Sequence, residues 1–406
     1  MLVRGVAFYL ESGLPCEAKL LLEDFRLAVN NAIRAGLQAR VTSRNALAKL
    51  AYKDFRKEHP MMYSLHLLSA FGVAGSVLKN HRRRTRSVKM ARVPFVKRLM
   101  MRVENQAYKL DRKSSIIDLA VRAGCHVHLK LVVSEYHRRY LDDTSLGLGS
   151  LTVLPDRVIV AFRKEEPRTY APESVLSLDT NERSLDGVIV GPEVCVSVRA
   201  DFPDVAIIQQ LHHDRRKQLQ KKKAHDERMS RMLCKREGRR EHRRIDHRLH
   251  QVANAVVSIA ETRRSAIVLE DLTGIRYKRS KDLNRRLSMW PRRKLHQIIE
   301  YKAQWRGIPV VKVDPRYSSR TCPICGRIQD SRMGTEFECE CGWHLDRHIN
   351  ASLNLLQTAI SNGLEVAGGL RFNPGAFQHD VMMTLYEPAM AARSEPNGTS
   401  GTCGVT

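Results

Sequence analysis

The sequence lacks the segments that mark membrane proteins and nucleotide-driven enzymes. It contains no run of 18 apolar residues, so we expect no membrane-spanning helix. No segment has the pattern of a phosphate-binding P-loop, and ATP dependence is therefore not expected. The N-terminal stretch MLVRGVAFYLESGL has one arginine and a short apolar run, which predicts a strand rather than a cleaved signal peptide.

A disulfide framework is also missing. Outside one dense cluster, the cysteines are scattered along the chain, at Cys16, Cys125, Cys195, Cys234 and Cys403. Cysteines without a pairing pattern are typical of proteins in reducing compartments. We therefore expect a cytoplasmic protein.

Acidic residues are too few to balance the basic ones. The chain has 43 Asp and Glu against 69 Lys and Arg, a net charge of +26. Two segments, 81–89 and 215–248, concentrate this charge, and we expect the first to be a basic turn or linker. A surplus of this size attracts polyanions and raises their rate of association. A charged surface kept only for solubility is the alternative, but it accounts poorly for the excess, so the composition predicts a nucleic-acid partner.

The dense cysteine cluster lies within residues 317–351. Its four members form a C-x-x-C pair and a shorter C-x-C pair, namely Cys322, Cys325, Cys339 and Cys341. Thiolates in two close pairs can form a tetrahedral site around Zn²⁺. Four thiolates leave no open position for water, so such a zinc is structural rather than catalytic. Four free cysteines in a reducing compartment are the alternative.

The N-terminal 170 residues predict β structure interrupted by a helical block. Residues 16–37 and 43–79 have apolar side chains at steps of three and four, and Ser43 is a candidate N-cap. Short apolar runs between 92 and 165 predict strands, with one expected helix at 111–124. These strands could close a small barrel or sandwich, into which the helical block would be inserted.

From residue 174 onward, apolar strands alternate with helical segments. We expect a long helical stretch at 208–262, broken or bent near Gly238. Two of the expected strands end in carboxylates, Asp179 and Glu270. Because α/β sheets gather strand ends at one edge, residues distant in sequence can meet there. Carboxylates near a core can hold Mg²⁺ or Mn²⁺ for phosphodiester hydrolysis. The alternative is that both acids cap helices or pair with arginine.

Four segments, taken in order, resemble the TnpB family of transposon-encoded RNA-guided DNA endonucleases, which is related to the compact type V CRISPR effectors. They are SLDTNERSLDGVIV around Asp179, IVLEDLTGIR around Glu270, IEYKAQWRGIPVVKVDPRYSSRTCPICG and CGWHLDRHINASLNLL. Together they cover roughly residues 174–360. The N-terminal half is similar to the family only in its layout.

The resemblance implies an α/β fold. A RuvC-like (RNase H-like) nuclease domain with an inserted zinc ribbon would follow a β-barrel-like wedge domain, which carries an inserted helical recognition block. The implied segments are a first wedge strand (1–14), the helical recognition block (15–90), the wedge β-domain (91–170), the nuclease domain (171–316), the zinc ribbon (317–344), a closing nuclease helix (345–365) and a flexible tail (366–406).

The resemblance also implies a function. It predicts an RNA-guided DNA endonuclease with guide RNA and target DNA as partners, structural Zn²⁺ and catalytic Mg²⁺ or Mn²⁺. It further implies a prokaryotic, nucleoid-associated location, no membrane partner, and either one protein per RNA or a homodimer. An RNA-guided DNA-binding protein that does not cut is the second interpretation. A DDE-type transposase is disfavoured, because the ribbon directly precedes the last acidic motif.

The closing motif departs from the family pattern D-R-D-x-N-A. His348 stands where the second Asp, the usual third metal ligand, is expected. Asp346 lies two residues earlier, roughly 200° round a regular helix, although a loop before the helix would let it reach the metals. Otherwise the site has two carboxylates and an imidazole, which suits softer metals than Mg²⁺. The catalytic candidates are therefore Asp179, Glu270, Asp346 and His348, with Asp346 preferred to His348. Three nearby acids rank below Asp346, namely Asp314, Asp271 and Asp186.

Overall fold

The chain folds into two units, Met1–Glu166 and Pro167–Thr406. The computed structural model describes residues 1–87, 92–122, 124–192, 195–222, 224–273, 291–329, 334–370 and 378–387. Cys403 and most of the expected tail lie outside the described residues. No helix in the described part of the chain combines the length and apolarity that a membrane span requires.

The first unit is a seven-stranded sheet with a helical insertion. Its elements are β1 (Leu2–Leu10), α1 (Cys16–Gln38), α2 (Arg44–Glu58), α3 (Ser64–Ser87), β2 (Met101–Val103), a 3-10 helix (Asn105–Ala107), β3 (Tyr108–Asp111), β4 (Ile116–Arg122), β5 (Cys125–Val132), α4 (Glu135–Leu141), β6 (Gly147–Val153) and β7 (Arg157–Lys164). The strand order is β2-β6-β7-β1-β5-β4-β3. The sheet is strongly curled. Edge strand β3 reaches β6, near the opposite edge, where the Tyr108 hydroxyl donates to the Gly149 carbonyl at 2.9 Å.

Helices α1 to α3 fill the connection between β1 and β2, as the periodicity predicts. Ser43 caps α2, since its hydroxyl accepts from the Ala46 amide at 3.2 Å. The expected basic turn at 81–89 was wrong for 81–87, which continue α3, while 88 and 89 lie outside the described residues. The expected helix at 111–124 was also wrong. Residues Ile117, Leu119 and Val121 alternate inward, which is the period of a strand, and they form β4.

The second unit is a six-stranded sheet between two helical layers. Its elements are β8 (Ser174–Thr180), β9 (Ser184–Val190), β10 (Cys195–Asp201), α5 (Pro203–Lys222), α6 (Glu227–Thr262), β11 (Ser265–Glu270), α7 (Arg292–Arg306), β12 (Val310–Val313), β13 (Glu336–Glu338), β14 (His344–Asp346), α8 (Arg347–Ser361) and β15 (Gln378–Tyr386). The sheet order is β12-β11-β8-β9-β10-β15. Strands β8, β9 and β10 form an antiparallel meander, whereas β11 runs parallel to β8 and β12 parallel to β11.

Alternation along β8 decides which layer each side chain meets. Leu176 and Leu178 belong to the core shared with α6 and α7, whereas Val175 packs in the core formed with α8. Asp179 has the same parity as Val175, so its side chain lies on the α8 face of the sheet. This alternation brings Asp179 near the start of α8.

Two expectations for this unit need correction. Helix α6 runs without a break through Gly238, and the interruption falls earlier, where Asp226 caps α6 by accepting from the Met229 amide at 2.9 Å. A glycine costs a helix interior about 1 kcal/mol, and burial of Leu249 and Val256 against the sheet outweighs this. The expected flexible tail was wrong for Gln378–Tyr386, which forms β15 parallel to β10.

Candidate functional site

The structure places Asp179 and Glu270 side by side at one edge of the second sheet. Strands β8 and β11 are parallel neighbours in a register that pairs Leu178 with Leu269, so the next residues, Asp179 and Glu270, lie side by side near the ends of the two strands. A Glu270 carboxylate oxygen accepts from the Thr180 amide at 3.3 Å. Both carboxylates line an open cavity of about 950 Å³, together with His348.

Burial makes this pair of carboxylates costly in the absence of a cation. Burial raises the pKa of Asp179 above its usual range, against the opposing hydrogen bond from His348. Burial and the nearby charge of Asp179 raise the pKa of Glu270 to about 8. Two neighbouring carboxylates therefore resist ionising together, and a divalent cation would relieve both costs. The donor set, carboxylate oxygens at a solvent-open edge, fits Mg²⁺ or Mn²⁺.

The start of α8 brings His348 to this pair and uses Asp346 as the helix cap. His348 Nδ1 lies 2.8 Å from Asp179 Oδ2. Burial alone would lower the pKa of His348, but the hydrogen bond and the charge of Asp179 outweigh it, so the net direction is upward. Asp346 is the N-cap of α8, and its Oδ1 accepts from the amides of His348 and Ile349 at 2.8 and 3.2 Å. One oxygen of its carboxylate is therefore engaged at the helix terminus.

The three lower-ranked acids lie in different settings. Asp186 pairs with Asp179 across β8 and β9 but is fully buried, and its oxygens accept from Asn181, Ser184 and Arg199. Asp271 and Asp314 line the cavity. Asp314 pairs with Arg316 at 2.9 Å, and Asp271 accepts from the Thr273 amide at 2.9 Å.

Two further side chains support the pair and were missed by sequence reasoning. His296 on α7 is 3% exposed, and its Nε2 lies 2.7 Å from the Thr180 hydroxyl, beside Glu270. Burial lowers the pKa of His296 to about 4, so the imidazole is neutral. The Ser352 hydroxyl on α8 accepts from the Asp179 amide at 3.2 Å and lies 2.8 Å from the Asp186 carbonyl. Both residues sit within apolar helical patterns, which gave no signal of a polar role.

The four ribbon cysteines converge on one point. Their Sγ atoms, on Cys322, Cys325, Cys339 and Cys341, all lie within 4.8 Å of one another. Each pair begins a tight turn, in which the Gly326 amide donates to the Cys322 carbonyl at 3.0 Å and the Gly342 amide to the Cys339 carbonyl at 2.9 Å. Both glycines have positive φ, 72° and 89°, which a side chain would disfavour. Zn–S bonds of about 2.3 Å require thiolates at this kind of separation, so the cluster fits tetrahedral zinc.

Comparison with known proteins agrees with this architecture. The family model of the Cas12f1-like TNB domain matches residues 293–355, and that of the Uncharacterized protein MJ0013 family matches residues 21–118. TnpB-like protein MJ0751 of Methanocaldococcus jannaschii is 30% identical over 247 residues, which are 58% of this chain and 88% of that protein. The CRISPR-associated endodeoxyribonuclease Cas12f1 of Sulfoacidibacillus thermotolerans is 41% identical over 93 residues, 22% of this chain and 21% of that protein.

Solved structures share the fold at low sequence identity. CasPhi-2 (Cas12j) bound to crRNA matches with a TM-score of 0.56 at 11% identity, covering 89% of this chain and 98% of that chain. The protein of the Cas12f1-sgRNA-target DNA complex matches with a TM-score of 0.51 at 12% identity, covering 83% and 81%. The chain thus has a mixed α/β fold that it shares with these two proteins. More narrowly, the chain belongs to the TnpB family, which is related to the compact type V effectors.

Proposed function

We propose that this protein is an RNA-guided DNA endonuclease. Its second unit would be a RuvC-like nuclease domain with an inserted zinc ribbon, and its first unit the wedge domain with the helical recognition block. The observation that carries the proposal is the meeting of Asp179 and Glu270 at the ends of parallel strands, in one cavity with His348. The sheet order, with a three-strand meander followed by two parallel strands, supports the RNase H-like assignment.

Asp179 and Glu270 would hold the catalytic metal, and His348 would be the third residue of the metal site. A bound Mg²⁺ or Mn²⁺ would supply activation of water and stabilisation of the leaving oxygen. The Thr180 amide holds Glu270 in place, His296 holds the Thr180 hydroxyl, and Ser352 fixes the Asp179 backbone. Arg292 and Arg347 also line the cavity, where their guanidinium groups would attract a phosphodiester. Zn²⁺ on the four cysteines would be structural.

Guide RNA and target DNA would supply the polyanionic partners that the charge of +26 requires. Base pairing with the guide would select the target, and the protein would read duplex shape and a short flanking motif. The names of relatives and structural neighbours support this assignment, since they include CRISPR-associated endodeoxyribonucleases, a complex with sgRNA and target DNA, and a complex with crRNA.

A second candidate function is RNA-guided DNA binding without cleavage. The contact between His348 and Asp179 favours it, because an imidazole at this position offers nitrogen where Mg²⁺ prefers oxygen. In this case the protein would act as a roadblock on its target.

The test begins with sequencing of the RNA that co-purifies with the full chain. Double-stranded DNA matching that RNA, with randomised flanks, is then incubated with the complex and Mg²⁺ or Mn²⁺. Cleavage that is lost in Asp179→Ala and retained in Asp214→Ala, an exposed carboxylate on α5, supports the endonuclease. Tight matched binding without cutting supports the second candidate. Absence of any length-defined RNA would overturn both.

A further inference from the structure

Tyr317, at the entrance to the ribbon, has a backbone conformation that its residue type disfavours. Its φ is 63°, in the left-handed region. The conformation is held by its own carbonyl, which accepts from the Arg320 amide at 2.8 Å, the Thr321 amide at 3.0 Å and the Thr321 hydroxyl at 3.0 Å. Strained residues held this firmly concentrate at functional sites. A glycine would adopt this turn without strain, so the turn alone does not explain a tyrosine here.

The ring of Tyr317 does not serve the core either. Tyr317 as a residue is 54% exposed, and it lines the same cavity as Asp179 and Glu270. A tyrosine usually stabilises a fold by burying its ring, and this partly exposed ring contributes less of that stabilisation. The strained turn therefore holds an exposed aromatic ring at the wall of the carboxylate cavity.

One guanidinium group lies beside the ring, and a second lines the same cavity. The guanidinium of Arg320 lies 5.7 Å from the ring centroid, and its Nε donates to the Gln329 carbonyl at 2.5 Å, which fixes its position. Arg316 lines the cavity as well, and its side chain is 82% exposed. An exposed ring with guanidinium groups in the same cavity is the arrangement with which proteins bind single-stranded nucleic acid, with bases on the ring and phosphates on the cations.

We propose that Tyr317 stacks on an unpaired nucleobase of the DNA strand that enters the cavity, and so positions the neighbouring phosphodiester above Asp179 and Glu270. The inference rests on the proposed nuclease function and adds a base-binding subsite to it. Tyr317 is a positioning residue, since the ring contacts a base and not the reacting phosphorus. A base inside a duplex already has stacking neighbours on both faces, so the subsite requires single-stranded DNA.

The first experiment measures stacking without cleavage. The full chain, loaded with zinc and its co-purifying RNA, is mixed in Ca²⁺ buffer with single-stranded DNA carrying one 2-aminopurine at successive positions. We expect fluorescence quenching at one position for wild type and Tyr317→Phe, and loss of it in Tyr317→Ala and Tyr317→Gly. The glycine variant removes the ring while relieving the strained φ, so it separates stacking from the turn. Equal quenching in the glycine variant would overturn the proposal. Equal quenching of the corresponding RNA oligonucleotide would overturn the choice of DNA.

The second experiment measures cleavage of single-stranded DNA. Tyr317→Ala and Tyr317→Gly should raise KM roughly 5- to 100-fold, which corresponds to the usual cost of one lost stacking contact, with little change in kcat. An abasic site at the quenched position should raise the KM of the wild-type protein by the same factor. The same abasic substrate should cause no further rise in the KM of either variant. Additive effects would contradict the proposal. The comparison of abasic and intact substrates uses the wild-type protein. It therefore remains valid even if a Tyr317 variant binds zinc less well. If quenching follows the expected pattern and no DNA is cut, the base subsite stands and the nuclease proposal fails.

Discussion

His348 Nδ1 lies 2.8 Å from Asp179 Oδ2, so an imidazole contacts the carboxylate near the end of β8, the first strand of the meander. The cause is the turn at Asp346, whose side chain caps α8 and starts the helix at Arg347. The first turn of α8 therefore places His348, its second residue, beside the strand ends, whereas Asp346 is the N-cap. The family that the sequence resembles has an aspartate at this position, and helix geometry places residue 348, rather than residue 346, beside Asp179.

The identity of residue 348 should set which metal supports cleavage. A metal site with a nitrogen donor suits Mn²⁺ better than Mg²⁺, whereas a site with an aspartate in its place suits Mg²⁺. We expect His348→Asp to raise Mg²⁺-dependent cleavage about tenfold or more and to lower the ratio of Mn²⁺- to Mg²⁺-dependent rates. Guided cleavage assays in each metal, on matched DNA, measure both quantities. An unchanged ratio in His348→Asp would show that residue 348 does not contact the metal.

Asp346→Ala serves as the matched variant for the same corner. Loss of an N-cap costs about 1 kcal/mol, so this variant should melt earlier and cut with nearly the wild-type rate when assayed below its melting temperature. Asp346→Asn, which retains the cap, should match wild type in both respects. Complete loss of cleavage in Asp346→Asn, with normal folding, would restore Asp346 as the third ligand.

Glu270 should destabilise the metal-free protein. Its folded pKa of about 8 lies above the ordinary value of 4.5, so the stability associated with its protonated form is present below pH 4.5 and is lost as pH rises through 8. Glu270→Gln should therefore stabilise the metal-free protein at pH 8, by on the order of 3 kcal/mol, and should remove cleavage and Mg²⁺-dependent stabilisation. Denaturant unfolding between pH 5 and 8, with and without Mg²⁺, measures this. Glu261→Gln, at a half-exposed glutamate paired with Arg306, is the control and should show neither effect.

The pair of strand-end acids could be predicted because apolar runs such as VLSL and AIVL specify buried strands, and buried strands end at a shared edge. The cysteine cluster could be predicted because its spacing defines the site locally. Other features depend on contacts distant in sequence. His296 meets Thr180 across 116 positions, and Ser352 meets Asp179 across 173. Strand β15 is recruited by the open edge of β10, which its own sequence does not reveal.

The cysteine cluster should bind one Zn²⁺ per chain and stabilise the ribbon. Cys339→Ser removes one thiolate, so we expect zinc content to fall and the melting temperature to drop, with cleavage reduced indirectly through the adjoining start of α8. Elemental analysis and thermal unfolding measure the two effects. Cys234→Ser, at a half-buried cysteine on α6 outside the ribbon, should leave zinc content unchanged. Folded wild-type protein without zinc would contradict this prediction.

The hairpin of α5 and α6 should supply a large part of the RNA affinity. Between the two helices, the buried side chains of His212 and Glu237 are in contact, with His212 Nδ1 2.7 Å from Glu237 Oε1. Arg236 and Arg239, on either side of Glu237 in the sequence, are exposed. Each arginine that contacts a phosphate releases about one counterion, so affinity should fall steeply with salt. We expect the paired change of Arg236 and Arg239 to glutamine to weaken RNA binding and to lower the slope of log affinity against log salt by roughly 2. The matched change of both residues to lysine keeps the charge and should keep the slope. Filter binding of the co-purifying RNA between 50 and 300 mM salt measures the slope, and an identical slope for the glutamine and lysine variants would place the phosphate contacts elsewhere on the chain.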